Sequence, residues 1–183
     1  MSLPRRSPLY PELGRALRAA QGFHLLHTDV ERVPVRPTAT TSQTGCYRSR
    51  DGNPIDLRVS RRHGRVALSF LHELGHLVDH LHGWSLGPTL RAAAPDLPSR
   101  APAGASRARR RYFDSPKEVW ARAYAQTVLS RADDPWLRDG LLELQRREDV
   151  FVWPDSDFEP LRAGVEDVFA ELRLLRPARS VAA

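Results

Sequence analysis

Apolar side chains recur at steps of three and four over residues 65–81, where Phe70, Leu71, Leu74, Leu77, Val78 and Leu81 form the stripe of a helix lying on a core. Gly83 is its natural stop. The same spacing through Leu13, Ala16, Leu17 and Ala20 predicts a helix over 11–20, and the apolar run 23–26 after it predicts a strand. The period changes to two at Ile55, Leu57 and Val59, which alternate with Asp56, Arg58 and Ser60 behind the turn residues Asp51-Gly52-Asn53-Pro54. That is a β-hairpin signal. Further on, Ser115-Pro116-Lys117-Glu118 places a cap residue, a Pro at the first helical position and a Glu three residues after the cap, opening a helix to about residue 131. Helices are also expected over 135–147 and 158–175, with the aromatic triplet 151–153 as a strand or packing segment.

One stretch fits neither period. Residues 84–111 are full of Pro, Ala, Gly, Ser and Arg, and predict a long loop or partly disordered insertion between the two clearest helices. With no internal repeat, the pattern predicts an α+β fold dominated by helices, one domain over residues 1–183. The 41% of apolar residues and four Trp can build a core and exclude wholesale disorder.

Charge adds a direction. Residues 1–128 carry 20 basic and 10 acidic side chains, and residues 129–183 carry 8 and 12, so the first part could meet an acidic partner. Lys117 is the only Lys, and so strong an Arg bias reads first as a coding style. No segment approaches the roughly 18 apolar residues of a membrane helix, and the start has Arg but no apolar core like a signal peptide. The expectation is a soluble, cytoplasmic protein with no membrane partner. Cys46 is the only Cys, so a metal would rest on His and carboxylates rather than on a cysteine cage.

Such residues are present. His72-Glu73-Leu74-Gly75-His76 is an HExxH motif inside the segment predicted helical from its apolar stripe. With 7 His and 9 Glu in the chain, about 0.01 such motifs are expected by chance. Two His four residues apart share a helix face about 6 Å apart along the axis, and both can reach one Zn²⁺. Glu73, about 100° round the helix from His72, is placed to act as general base on a metal-bound water. A catalytic zinc needs a third protein ligand, and Glu118, 42 residues after His76, is the candidate. Locally it reads equally well as half of a capping box or as a surface pair with Arg122. His82 is the rival, ten residues after His72, and His80, Asp79 and His82 form a second candidate patch or a wet helix face. Asp79 is better placed to orient a ligand imidazole. Zn²⁺ suits mixed His and carboxylate ligands best, with Fe²⁺, Mn²⁺ or Co²⁺ as substitutes.

The motif HELGHLVD, followed by Tyr112-Phe113-Asp114-Ser115-Pro116-Lys117-Glu118-Val119-Trp120-Ala121-Arg122-Ala123-Tyr124-Ala125, resembles the gluzincin-type, zincin-like metallopeptidases. Within them it is similar to the large polyvalent protein-associated domain of phage and mobile-element proteins, and more loosely to the anthrax lethal-factor-like peptidases. The matching segments are residues 44–82 and 112–126. The resemblance implies a zincin-like fold with a small mixed or antiparallel sheet, zinc on His72, His76 and Glu118, and Glu73 as base. It implies Tyr112 as donor to the developing oxyanion, with Tyr124 as fallback or else a core aromatic. Arg122 reads as a brace for Glu118 or for an acidic helix end. It also implies that strand 55–60 is the sheet edge along which an extended substrate adds.

The expected function is a zinc endopeptidase acting on a protein or peptide. A non-catalytic module contacting nucleic acid or protein through Arg100, Arg107, Arg109, Arg110 and Arg111 is the alternative, although no nucleic-acid-binding motif accompanies that cluster. Hydrolysis of a non-peptide amide is a third reading, since zinc and a Glu base do not choose the acyl group.

Overall fold

A computed structural model describes residues 1–26, 28–40, 43–62, 64–83 and 99–176. In chain order these form α1 (Tyr10–Phe23), α2 (Thr28–Arg32), β1 (Val35–Thr38), β2 (Gly45–Arg50), β3 (Asn53–Ser60), α3 (Val66–His82), α4 (Arg107–Phe113), α5 (Pro116–Ser130), α6 (Pro135–Arg146) and α7 (Asp155–Glu171). The fold is α+β, with seven helices and one three-stranded mixed sheet among the described residues. Most of the insertion, residues 84–98, lies outside the described residues. No described helix is long and apolar enough to cross a membrane.

The hairpin forms as the turn residues predict: β2 pairs antiparallel with β3 through Tyr47↔Leu57 and Arg48↔Asp56, and Asp51 and Gly52 take up the positive φ of the tight turn. The sheet order β1-β3-β2 corrects one expectation. Strand 55–60 is central, paired on one side with β2 and on the other with β1 in parallel, so the edge strands are β1 and β2. The resemblance implied an edge strand, yet on its polar face Asp56 is 1% exposed, gripped by Arg48 in two 2.7 Å hydrogen bonds with Arg36 and Arg58 close by. The hydrogen bond from Arg48, working against burial, holds the Asp56 carboxyl below its ordinary range.

The opposite face of β3 puts Leu57 and Val59 into the core beneath α3. α3 is the central helix, packed by α1, the sheet and α5, which explains why all but a few of its side chains are buried. It ends where expected, at Gly83 in the left-handed conformation, whose N–H returns to Asp79. α5 in turn packs on α6 and α7, and Trp120, Tyr124, Leu161, Val165 and Phe169 close that side of the core.

Three local expectations change and one, the 151–153 triplet, is narrowed. The run 23–26 is no strand: Phe23 ends α1, and His24 and Leu25 make only a short bridge to Leu174 and Leu175. The triplet 151–153 is a packing segment, because the Trp153 backbone is clipped by the Gln126 amide, N–H to Oε1 at 2.8 Å and O to Nε2 at 2.9 Å. α7 begins three residues before Phe158 and carries Pro160 inside it. The tail of the expected loop, Arg107–Phe113, is helical, with Ser106 accepting from the Arg109 N–H.

His24 shows what burial does to a titratable group. Its ring is stacked on Phe169 at 4.2 Å, and its nitrogens face Leu25 O and the Tyr124 hydroxyl. Burial lowers its pKa from 6.5 to about 4. Between these values the unfolded chain binds a proton that the folded chain refuses, so stability falls as pH drops through 6.5 and levels off below about 4. Urea unfolding should show about 3 kcal/mol lost over that window, and the loss should shrink in His24→Gln. An unchanged pH slope in the variant would refute the assignment.

Candidate metal centre

α3 and α5 cross so closely because of Gly75, the fourth residue of the motif. A Cβ there would stand 3.0 Å from the Ala121 Cα and 3.1 Å from the Tyr124 ring, and the Gly75 carbonyl accepts from Trp120 Nε1 at 3.0 Å. Without that approach Glu118 could not reach the imidazoles. Gly75→Ala should therefore destabilise the protein by about 1 kcal/mol, since overpacking of about 1–3 kcal/mol outweighs the helix propensity gained. Gly140→Ala, in α6 with open space around it, should instead stabilise by about 1 kcal/mol. Equal signs in chemical denaturation would contradict this packing account.

The crossing brings three donors together. His72 Nε2 and His76 Nε2 lie 3.1 Å apart, and Glu118 places Oε2 3.4 Å from the first and Oε1 3.2 Å from the second. Four-coordinate zinc at 2.0–2.1 Å separates its ligands by about 3.3 Å, so these donors already stand near the edge length of the tetrahedron. His72 and Glu118 are buried, and the donor atoms converge within 4.8 Å; this group could hold a metal ion. Two nitrogens and one carboxylate suit a transition metal better than Ca²⁺ or Mg²⁺.

Electrostatics within the group agree. Burial raises the Glu118 carboxyl, but hydrogen bonds and charge from His72 and His76 outweigh it and hold it well below the usual glutamate range. Burial likewise lowers His76, and the Glu118 partner outweighs it to leave His76 raised, with Asp79 adding to the pull. Asp79, buried one turn after His76, thus bears on the ligand it was expected to orient.

Glu73 stands beside the triangle without joining it. It is buried, and its Oε2 accepts the Tyr47 N–H of β2 at 2.6 Å. Burial raises its pKa, against the lowering influence of His72 and His76. Gly45 leaves room for it, since a Cβ there would fall 2.7 Å from Glu73 Cγ and Oε1. Neither Tyr47 nor Gly45 was expected from sequence, because a backbone amide and a missing side chain leave no pattern to read.

The remaining expectations separate. Tyr112, 59% exposed on α4, lies beside the Glu118 carboxylate, and burial together with that carboxylate raises its phenol. Tyr124 is not available as a donor here, being fully buried on His24. The expected capping box is not made: Ser115 has no side-chain cap bond and Glu118 turns to the imidazoles. Nor is Arg122 a surface partner. It is buried, with Nε on the Glu118 carbonyl at 3.1 Å, its other nitrogens on the Phe113 and Val150 carbonyls, and its plane between Phe113 and Trp153. It braces the Glu118 backbone rather than its carboxylate. Burial lowers it to about 10. His82 is exposed and lines a separate cavity with His24 and Val78, and His80 faces the Gly52 carbonyl, so neither joins a second metal group among the described residues.

These residues floor a cleft of about 880 Å³, with β2 as one wall and Arg109, Tyr112, Phe113 and Lys117 on the other. No family model, no curated protein and no solved structure matches the chain.

Proposed function

We propose that this chain is a zinc-dependent endopeptidase with a zincin-like fold, holding the ion on His72, His76 and Glu118. The observation that carries the reading is the triangle of donors at 3.1–3.4 Å with Glu73, a buried carboxyl of raised pKa, beside it. Zinc, when bound, supplies Lewis acidity, polarising a carbonyl oxygen and lowering the pKa of water towards about 7. Glu73 takes the proton of the attacking water and returns it to the leaving amine. The Tyr47 N–H fixes its position for both transfers. Tyr112 donates its hydroxyl to the charge that develops on the carbonyl oxygen. β2 is an edge strand lining the cleft, and apart from the Tyr47 N–H held by Glu73 its main chain faces an extended substrate, so the strand-addition role passes from strand 55–60 to β2.

The test is incubation of the zinc-loaded chain with a mixed peptide library, read by mass spectrometry. Cleavage that chelation abolishes and added zinc restores supports the reading; an intact library with full zinc occupancy sinks it. The second reading, a non-catalytic module, rests on Arg107, Arg109, Arg110 and Arg111, all exposed on α4. It predicts salt-sensitive nucleic-acid binding that Glu73→Gln leaves untouched. A cytoplasmic setting remains part of the first reading.

A further inference from the structure

The charges lining the cleft are sorted by depth. Its carboxylates, Glu73, Asp79 and Glu118, are all buried, and each is engaged below the surface: Glu73 with the Tyr47 N–H, Glu118 with two imidazoles, Asp79 in the field of His76. Its cations stand at the mouth. Arg65 is already tied to Asp149 at 2.9 Å, whereas Arg109 and Lys117 are exposed and pair with no carboxylate among the described residues. The facing wall, β2, has the sequence GCYRSR and adds no acid. Arg107 and Arg111 extend the positive field along α4.

We propose that the cleft selects acidic peptide segments, whose Asp or Glu side chains meet Arg109 and Lys117. The proposal rests on the peptidase reading and names its substrate class. Acids on the floor are screened from an incoming chain by their own partners, so the field that chain meets is set by the rim. A peptide is favoured over a nucleic acid because β2 lines the cleft with Gly45, Cys46, Tyr47 and Ser49, while its Arg48 is held by Asp56 and its Arg50 lies beside Asp51. This wall is an edge strand of the sheet, a surface that suits an extended peptide main chain rather than a second row of phosphates.

The experiment compares the zinc-loaded chain with its Arg109→Glu/Lys117→Glu variant on one mixed peptide library. Asp and Glu should be enriched about tenfold over Lys and Arg on one side of the cut, less so at high salt, and the double variant should invert the preference. Cuts without acidic enrichment, or enrichment that survives the reversal, overturn the proposal while leaving the peptidase reading intact. If no peptide is cut, that reading fails and recognition is read separately, from the fluorescence anisotropy of a labelled Glu-rich peptide with zinc-loaded Glu73→Gln. Binding lost on charge reversal supports the acidic segment. No binding, or tighter binding of a single-stranded oligonucleotide of equal charge, overturns it.

Discussion

Glu118→Ala is expected to strip the metal, from about one zinc per chain after dialysis to below about 0.1. A closed structural zinc site supplies apparent binding of about 10–16 kcal/mol, so one ligand in three or four is worth about 3 kcal/mol or more, beyond a hundredfold in affinity. The loss should also appear in stability. Zinc at about a thousand times its Kd stabilises the folded chain by about 4 kcal/mol, roughly 10 °C in Tm for a chain of this size. The variant should show no such rise. His82→Ala is the control: His82 lies in a separate cavity away from the triangle, so zinc content and the zinc-dependent Tm shift should both stay. If Glu118→Ala keeps its zinc and His82→Ala loses it, the site described here is wrong. Elemental analysis beside differential scanning fluorimetry reads both quantities on the same preparations.

Sequence legibility followed the range of the interactions. α3 could be read because one core stripe and one terminal Gly specify it locally, and His72 and His76 came with it. Glu118 could not be settled, since the same four residues spell a capping box, and only the α3–α5 crossing decides which partner its carboxylate takes. That crossing is written in Gly75, whose meaning depends on Ala121, 46 positions later. Strand order was hidden for the same reason. An Asp in a strand reads as a solvent face until three guanidinium groups from three strands are seen to cover it. α4 has no apolar period to read, being four Arg in seven residues, and its cap at Ser106 was the available signal.

Glu73→Gln is expected to keep the zinc and lose the activity. The substitution preserves shape, and the Gln side-chain oxygen can still accept the Tyr47 N–H at the place where Glu73 accepts it at 2.6 Å. Metal content and Tm should therefore match the parent, which separates a chemical defect from a folding one. What the amide cannot do is take a proton from water or return it to an amine. Loss of general acid–base catalysis predicts a fall in kcat of about 10²–10⁴-fold with little change in KM. Tyr112→Phe should cost about 10²–10³-fold in kcat, the scale of one oxyanion donor. Because Tyr112 also contacts Glu118, its zinc content must be measured beside its rate. A merely structural Tyr112 would lower kcat only as far as zinc is lost, whereas a donor lowers it at full occupancy. If Glu73→Gln cleaves at the parent rate with zinc in place, the proton moves by another route and the assignment of Glu73 falls with it.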